Sequence, residues 1–390
     1  MNEERRHIDA ILLIVVICLT LFGIIMVFSA SYYSTIARSG NPYEYLERSI
    51  RWAILGAIVM VAASFIPYRI YYKLAPVIMI FSLILLAALF IPGVGIERGG
   101  ATRWLGIGGS EDFTFMPGEL AKFAVIVFVA WFYTKFADKT KQFVRGFLPM
   151  LAVLGIYFIL IYKQPNLSTA VIVVMTIVAM MFLAGVPVGY LVATAILGGL
   201  LIWQSIQSDQ GEHLSRATGF LDPFADAQGS GYQVAQGLLA LGAGGLVGVG
   251  LGNSVEKALW LPEAQNDFIF AIIGEEIGFI GCILLVFAYL VLIWRCMTIA
   301  IRAKERFGAL LAGGVACIFG FQCILNIGVV TAVMPATGVI LPFVSYGGNA
   351  IVLFMFLIGI TLNISKGSKP PKSRRRRRQR YEDIDEEETA

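Results

Sequence analysis

Long apolar stretches recur along the chain, and short polar segments separate them. About ten of these runs approach the length of roughly 20 residues that crosses a bilayer as a helix. They cover residues 9–30, 51–67, 75–92, 119–134, 147–162, 168–183, 187–204, 265–294, 307–330 and 345–365. The pattern predicts an all-α polytopic membrane protein with about ten transmembrane helices in one membrane domain, residues 1–365. The composition agrees, because 58% of the residues are hydrophobic and only 14% are charged.

The Lys and Arg residues of the loops predict the orientation, since basic residues stay on the cytoplasmic side during insertion. With ten spans, the basic residues near the N-terminus, in 135–145, in 295–306 and in the tail share one side. Both termini are therefore expected to be cytoplasmic, with a long extracytoplasmic loop, 205–264, between helices 7 and 8. The arginines that depart from the rule on the outer side are Arg38, Arg48, Arg98 and Arg103.

Residues 366–390 differ in composition from the rest of the chain. Their polar sequence cannot bury enough apolar surface to offset the loss of chain entropy, so we expect a disordered basic and acidic cytoplasmic tail. The arginines Arg374 to Arg378 should lie against anionic lipid headgroups. A topology anchor is a better interpretation of this tail than a dedicated partner motif.

Cysteine, histidine and glycine usage excludes several kinds of chemistry. The cysteines lie in or beside apolar runs without a CxxC pair, and only His7 and His213 are present, so a disulfide framework, a zinc site or a histidine triad is not indicated. The Gly-rich segment 237–254 matches no nucleotide-binding motif. We expect its small residues to permit close packing. No nucleic-acid partner is expected.

Charged residues at the start of the fourth run form the first candidate group. Pro117 can occupy the first helical turn, and Glu119 and Lys122 are spaced i, i+3, so the two charges can neutralise each other. A structural ion pair and a substrate contact are equally good interpretations. Arg103 and Trp104 add a cation and an interfacial ring on the same face.

The outer segment 205–264 forms the second group. It contains Arg216, Asp222, Asp226 and Tyr232 in a stretch too polar to cross the membrane. Long ordered loops in compact proteins are more often functional than decorative.

The third group lies in LPEAQNDFIFAIIGEEIGFIG, residues 261–281. Asp267 is expected in the first turn of the eighth helix, where the helix dipole stabilises an anion and a general base would be well placed. Glu275 and Glu276 lie about two turns deeper, so at least one should pair with a cation from another helix or be protonated. For these two glutamates a structural role is the better interpretation.

Several long motifs occur in the order of a known family. RATGFLDPF, GSGYQVAQGLLALGAGGLVGVGLGNS, LPEAQNDFIFAIIGEEIGFIG and ATGVILPFVSYGG resemble the signatures of the SEDS family (shape, elongation, division and sporulation), most closely its FtsW/SpoVE branch, with RodA-like proteins as relatives. The resemblance extends from the first span to about residue 365. Departures from the family pattern occur at Met116, Gly118, Asn166 and Ser168.

The resemblance implies a peptidoglycan glycosyltransferase of the cytoplasmic (inner) membrane that polymerises lipid II on the outer face during division or sporulation. It implies a class B penicillin-binding protein, a transpeptidase, as partner, together with other divisome proteins and membrane lipids. The residue matching the family's catalytic aspartate is Asp267, and Glu119 and Lys122 match a motif near the substrate cavity.

Glycosyl transfer would use these residues in separate roles. Asp267 would remove the proton from the attacking sugar hydroxyl. Arg103, Lys122 and Arg216 are candidates to hold the leaving pyrophosphate. Ser345 would help to shape the sugar-binding floor, and a divalent cation such as Mg or Mn could share the work, although no ligand spacing demonstrates one.

Two other functions compete with the enzyme. A flippase for the lipid-linked precursor would also carry charges inside a helix bundle, but it predicts internal symmetry, and no repeat relates the two halves of the sequence. A non-catalytic division scaffold would only position the transpeptidase.

Overall fold

The structure is a computed structural model that describes residues 8–98, 101–106, 114–208, 222–225, 229 and 231–367. Within these ranges nine helices are long and apolar enough to cross a membrane. The remaining apolar run forms the helix Val188–Ser208, which is apolar over Val188–Leu200. The expectation of a polytopic helical membrane protein is confirmed, and most of the predicted tail lies outside the described residues.

The helices are α1 (Ala10–Ser39), α2 (Glu44–Phe65), α3 (Arg69–Ala88), α4 (Pro117–Lys135), α5 (Leu148–Tyr162), α6 (Leu167–Ala184), α7 (Val188–Ser208), α8 (Tyr232–Gly244), α9 (Ile269–Arg302), α10 (Arg306–Val330) and α11 (Gly348–Lys366). A 3-10 turn, Ala137–Lys139, and a π-helical segment, Phe143–Phe147, connect α4 to α5. The strands are β1 (Gly95–Arg98), β2 (Ala101–Gly106) and β3 (Thr114–Phe115).

Local sequence signals set several helix ends. Asp9 and Asn166 cap α1 and α6, because each side chain accepts the N–H three residues further on. Pro117 occupies the first turn of α4, where its missing N–H costs nothing. α1 and α6 end at Gly40 and Gly185, both with the positive φ of a left-handed cap.

The centre of the bundle consists of α4, α10 and α11. In the most apolar 18-residue stretch of each helix, 78% of the residues of α4, 72% of those of α10 and 67% of those of α11 are buried inside the protein. The corresponding share of α3 is 22%, and its Val77, Ile80 and Ile84 point outward as a lipid-facing surface requires. α2 packs along α11, α3 along α4, and α9 contacts both α1 and α10.

A small antiparallel sheet lies in the connection between α3 and α4. The strand order is β1-β2-β3, and Leu105 in β2 faces both Gly95 and Phe115. Strand pairing satisfies backbone groups that no helix can use. The sequence pattern assigned residues 93–118 only to an outer connection and did not reveal this sheet.

The Gly-rich segment 245–252 packs its backbone directly against α9. Val249 donates its N–H to the carbonyl of Glu275 at 2.9 Å. A Cβ at Gly248 would lie 2.2 Å from the carbonyl oxygen of Glu276, so only glycine permits this approach. The expectation of close packing is confirmed for this part of the segment.

α9 is broken at Gly278, where φ is 75° and ψ is −173°. The break frees the N–H groups of Phe279 and Ile280, which donate to the carbonyls of Gly245 and Leu246 at 2.9 and 3.1 Å. Irregular backbone inside a membrane domain must find such partners within the protein. The glycine segment and the helix break therefore form one packed unit.

Candidate active site

Asp267 lies in the turn immediately before α9, with a half-buried side chain. The helix begins at Ile269, so the expected position of Asp267 inside the first helical turn is wrong. A competing hydrogen bond explains the difference. The carbonyl of Asp267 accepts from Asn326 Nδ2 at 2.7 Å, and the first bond of the helix runs from the Ala271 N–H to the carbonyl of Phe268 at 2.9 Å.

Asn326 connects Asp267 to a second loop. This side chain lies on α10, is buried, and also donates from Nδ2 to the carbonyl of Val339 at 2.7 Å. The neighbouring Gly338 has φ +69°, and a Cβ there would lie 3.8 Å from Asp267 Oδ2. The Asp267 carboxylate therefore faces the backbone of the 331–347 loop, and a single amide group fixes the spacing between the two segments.

Ser345 stabilises the 331–347 loop from within. Its hydroxyl accepts the N–H of Leu341 at 2.8 Å, and its own N–H donates to the Leu341 carbonyl at 3.0 Å. The next residue, Tyr346, donates its N–H to the carbonyl of Gln265 at 2.9 Å. The Ser345 hydroxyl thus shapes a loop that is bonded to the segment carrying Asp267.

The expected ion pair at the start of α4 is present. Lys122 Nζ donates to Glu119 Oε1 at 2.7 Å, and the two side chains are only 3% and 9% exposed. Lys122 also lies 5.9 Å from the centre of the Phe354 ring. Glu119 Oε2 is buried without a hydrogen-bond partner among the described residues. Such an oxygen is costly unless a ligand donates to it.

Arg103 joins the small sheet to the region around this pair. Its guanidinium donates to the carbonyl of Pro165 in the α5–α6 connection. The next residue, Asn166, caps α6, and a Cβ at Gly118 would lie 3.7 Å from its Nδ2. Asn166 therefore serves as a helix cap beside the first turn of α4.

The candidate residues fall into two groups. One group contains Asp267 and the 331–347 loop, which leads directly into α11, and the other contains Arg103 with the Glu119–Lys122 pair. α11 also contacts the second group, because Phe354 of α11 lies 5.9 Å from Lys122 Nζ, and Asn349 Nδ2 donates to the carbonyl of Thr114 in β3 at 2.9 Å. Two other candidates lie outside the described residues: Arg216 and Asp226.

Glu275 and Glu276 have structural partners. Glu276 Oε1 accepts from Lys257 Nζ at 2.7 Å, and these side chains are 0% and 2% exposed. The expected cation is thus present, although it comes from the segment before α9 rather than from a helix. Glu275 accepts from the Val255 N–H at 2.8 Å.

Burial, together with the charge of Glu275, raises the pKa of the neighbouring carboxyl group, Glu256, above its ordinary value.

Within the described ranges no group of three or more His, Cys, Asp or Glu side chains could hold a metal ion. The arrangement offers one half-buried carboxylate, one buried cation and one buried carboxylate oxygen, which together suit proton transfer and the binding of a polar, anionic substrate.

Sequence reasoning missed Asn326, Gln265 and Lys257. Asn326 could have been found, because a polar residue inside the apolar run 307–330 is expensive in a membrane and usually has a function. Gln265 acts through its backbone carbonyl, for which the side-chain type gives no signal.

Comparisons with known proteins agree over nearly the whole chain. Residues 9–370 match the family model FTSW_RODA_SPOVE, described as cell cycle protein. The chain is 36% identical over 357 residues to a probable peptidoglycan glycosyltransferase FtsW of Geobacter sp. (strain M18), covering 92% of this chain and 96% of that protein. It is also 36% identical over 369 residues to stage V sporulation protein E of Bacillus subtilis (strain 168), covering 95% and 100%.

Solved structures show the same architecture. A chain from a peptidoglycan synthase complex described as coordinating polymerization and crosslinking matches with a TM-score of 0.77 at 25% identity, covering 93% of this chain and 99% of that one. The rod shape determining protein RodA of Thermus thermophilus matches with a TM-score of 0.67 at 25% identity, covering 93% and 98%.

Proposed function

The chain belongs to the FtsW/RodA/SpoVE family of cell cycle proteins, and from this membership we propose that it is a peptidoglycan glycosyltransferase that polymerises lipid II into glycan strands. Relatives bearing the glycosyltransferase name cover more than nine-tenths of the chain. The observation that carries the proposal is the placement of Asp267, whose carboxylate faces the 331–347 loop while Asn326 holds its backbone at 2.7 Å.

Asp267 acts as the general base. The hydroxyl of the acceptor sugar attacks the anomeric carbon of the donor, and the bond from that carbon to the pyrophosphate oxygen breaks. The hydroxyl proton passes to the Asp267 carboxylate, and the polyprenyl pyrophosphate leaves with the bonding electrons. The position of Asp267 beside the N-terminus of α9 stabilises its ionised form before the transfer.

Cations near the site stabilise the charge of the leaving group. Lys122 and Arg103 are the described candidates, with Arg216 as a further one. Glu119 Oε2 is free to accept a hydrogen bond from a sugar hydroxyl, because the described part of the chain offers it no donor. Ser345 contributes through the shape of its loop.

The protein works in the cytoplasmic membrane with both termini in the cytoplasm and the site on the outer face. A class B penicillin-binding protein is the proposed partner that cross-links the product, and other divisome proteins join the assembly. The similarity to a chain of a peptidoglycan synthase complex supports this partnership. The FtsW and sporulation relatives favour a role in division or sporulation.

Polymerisation in detergent micelles tests the proposed activity. The purified chain and its transpeptidase receive lipid II, and glycan strands are separated by gel electrophoresis. We expect strands from a polymerase and none from a flippase, because moving lipid II between leaflets forms no glycosidic bond. Movement of lipid II across proteoliposomes without polymer would instead identify a flippase. If neither occurs while a control synthase is active, the scaffold interpretation replaces the enzyme.

A further inference from the structure

The 331–347 loop descends into the helix bundle before it reaches α11. Val339 is bonded to Asn326 of α10, whereas the ring of Phe343 packs against Phe319, two turns further into the same helix, with 5.4 Å between the ring centres. Two turns of helix correspond to about 10 Å of depth. Irregular backbone inside a membrane domain has no water to bond to, so its carbonyl groups need donors from the protein.

Tyr289 supplies one of these donors. It lies on α9 and is 2% exposed, and its hydroxyl donates to the carbonyl of the buried Pro342 at 2.6 Å. Buried Tyr hydroxyl groups usually have a hydrogen-bond partner. Removing the hydroxyl would leave the carbonyl unsatisfied, which costs more than the bond itself contributes. The position of this carbonyl therefore depends on a side chain of α9.

Phe343, the next residue, shows that the surrounding helices impose the shape of this turn. Its φ is +66°, in the left-handed region that a bulky residue rarely adopts. Its ring is buried between Phe319 and Phe354, at 5.4 and 5.7 Å between ring centres. A Cβ at Gly23 would lie 2.3 Å from the Phe343 carbonyl oxygen, so α1 packs directly against the same turn. Such a conformation persists only where the surroundings hold it.

The same turn continues to the segment that carries Asp267. Ser345 closes the turn with the two hydrogen bonds described above. The N–H of Tyr346 then donates to the carbonyl of Gln265, two residues before Asp267, at 2.9 Å. A shift of the Pro342 carbonyl would therefore move the loop that faces the Asp267 carboxylate.

The two halves of α9 hold the two sides of the candidate site. Asp267 lies just before the first half, and Tyr289 lies on the second half, beyond the break at Gly278. Because the break interrupts the helix, α9 alone does not fix the distance between the base and the loop. The hydrogen bond from Tyr289 fixes the loop to the second half.

We propose that Tyr289 is a positioning residue for glycosyl transfer, because its hydroxyl holds the 331–347 loop at the distance from Asp267 that the acceptor sugar requires. The inference rests on the proposed function, in which a general base has to lie within hydrogen-bond reach of the hydroxyl that it deprotonates. Tyr289 acts through the Pro342 carbonyl and takes no part in the proton transfer.

Tyr289→Phe tests the proposal, since it removes the hydroxyl and keeps the ring. A displacement of about 1 Å can slow an enzyme about 100-fold. For the smaller shift that follows the loss of one hydroxyl, we expect kcat for lipid II polymerisation to fall about tenfold with little change in KM.

Hydrogen–deuterium exchange gives a second measurement that needs no activity. The N–H groups of Leu341, Ser345 and Tyr346 are all bonded within the protein. In Tyr289→Phe, exchange of a peptide that covers residues 340–347 should become about fivefold faster, because local opening of the turn becomes easier.

The matched control is Tyr133→Phe. Tyr133 is also fully buried, and its hydroxyl also donates to a backbone carbonyl, that of Gly146, at 3.1 Å. This bond lies at the C-terminal end of α4, away from the candidate site. The control therefore loses an equivalent hydrogen bond, and both its kcat and its exchange in 340–347 should equal those of the native protein.

Three results would overturn the proposal. The first is unchanged exchange of 340–347 in Tyr289→Phe. The second is faster exchange with native kcat, since the bond would then only stabilise the fold. The third is an equal loss of kcat in Tyr289→Phe and Tyr133→Phe. If the native chain does not polymerise lipid II while the exchange changes as expected, the proposed function alone is refuted.

Discussion

Asn326 is the residue on which the position of Asp267 depends. Its amide donates to the carbonyls of both Asp267 and Val339 at 2.7 Å. Asn326→Asp keeps the shape but replaces the donor with an oxygen that repels both carbonyls. A displacement of about 1 Å in an active site can lower the rate about 100-fold, so we expect kcat for lipid II polymerisation to fall by about that factor with little change in KM.

Gln322 provides the control for this experiment. It lies one turn away on the same helix and is fully buried, and neither amide atom is bonded to a described residue. Replacing an unbonded polar side chain with an apolar one is nearly neutral, so Gln322→Leu should retain activity. Similar losses of kcat in both variants would mean that Asn326 supports only the fold.

The sequence made Asp267 visible because a carboxylate beside an apolar helix is rare and costly. It did not reveal what holds Asp267, since the bonds come from a side chain 59 positions away and from backbone carbonyls. The same limit applies to Lys257, which reaches Glu276 from the segment before α9. Residue type predicts that a buried charge has a partner, but the tertiary fold decides which partner.

At the scale of helices, two buried ion pairs have different purposes. Lys122→Met alone leaves Glu119 buried and unpaired, which costs about 3–5 kcal/mol. Adding Glu119→Leu removes both charges and should restore the thermal unfolding midpoint in detergent. Polymerisation should stay lost, because we propose that both groups contact substrate. Recovery of activity in the double variant would reduce this pair to a structural role.

The Lys257–Glu276 pair supplies the comparison. Unlike Glu119, Glu276 has hydrogen-bond partners for both carboxylate oxygens. Lys257 donates to Oε1 at 2.7 Å, and Ser29 donates to Oε1 at 2.6 Å and to Oε2 at 2.9 Å. The double variant Lys257→Met with Glu276→Leu should recover both stability and polymerisation relative to Lys257→Met alone. A double variant that is stable but inactive would give this pair a role in catalysis.

The contact between the glycine segment and α9 makes a further prediction. Gly248→Ala places a methyl group 2.2 Å from the carbonyl oxygen of Glu276, so the segment must move and the unfolding temperature should fall. Gly252→Ala is the matched control, because Gly252 has nearly the same φ, 84° against 81°, but open space around its Cβ position. Equal effects would assign the loss to backbone strain instead of the close contact.

The helices could be predicted because each one has to bury or expose an apolar surface about the length of a bilayer. The small sheet and the break at Gly278 could not be predicted, and the reason differs between the two. The strands are short, at four, six and two residues, and carry no clear alternation. The break lies inside an apolar run that reads as continuous helix, and only its partner, the glycine segment, explains it.

For the molecule as a whole, the helix Val188–Ser208 decides the topology. Nine helices meet the length and composition required of a span within the described ranges, and an odd number would place the two termini on opposite sides. If Val188–Ser208 also crosses, both termini are cytoplasmic, as the Lys and Arg distribution indicates.

Reporter fusions after residue 390 check this topology. Green fluorescent protein fused there should fluoresce, and alkaline phosphatase at the same point should be inactive. Phosphatase inserted within residues 209–221 should be active as the matched control. The reverse pattern at the C-terminus would mean that Val188–Ser208 does not cross the membrane.

The central claim is that Asp267 is the general base of a lipid II polymerase. The most direct measurement compares native protein, Asp267→Asn and the exposed-site control Asp138→Asn, each with the matching transpeptidase and purified lipid II. We predict glycan strands from the native protein and from Asp138→Asn, and none from Asp267→Asn, although the last variant remains folded and binds lipid II. Polymerisation by Asp267→Asn at the native rate would contradict the account.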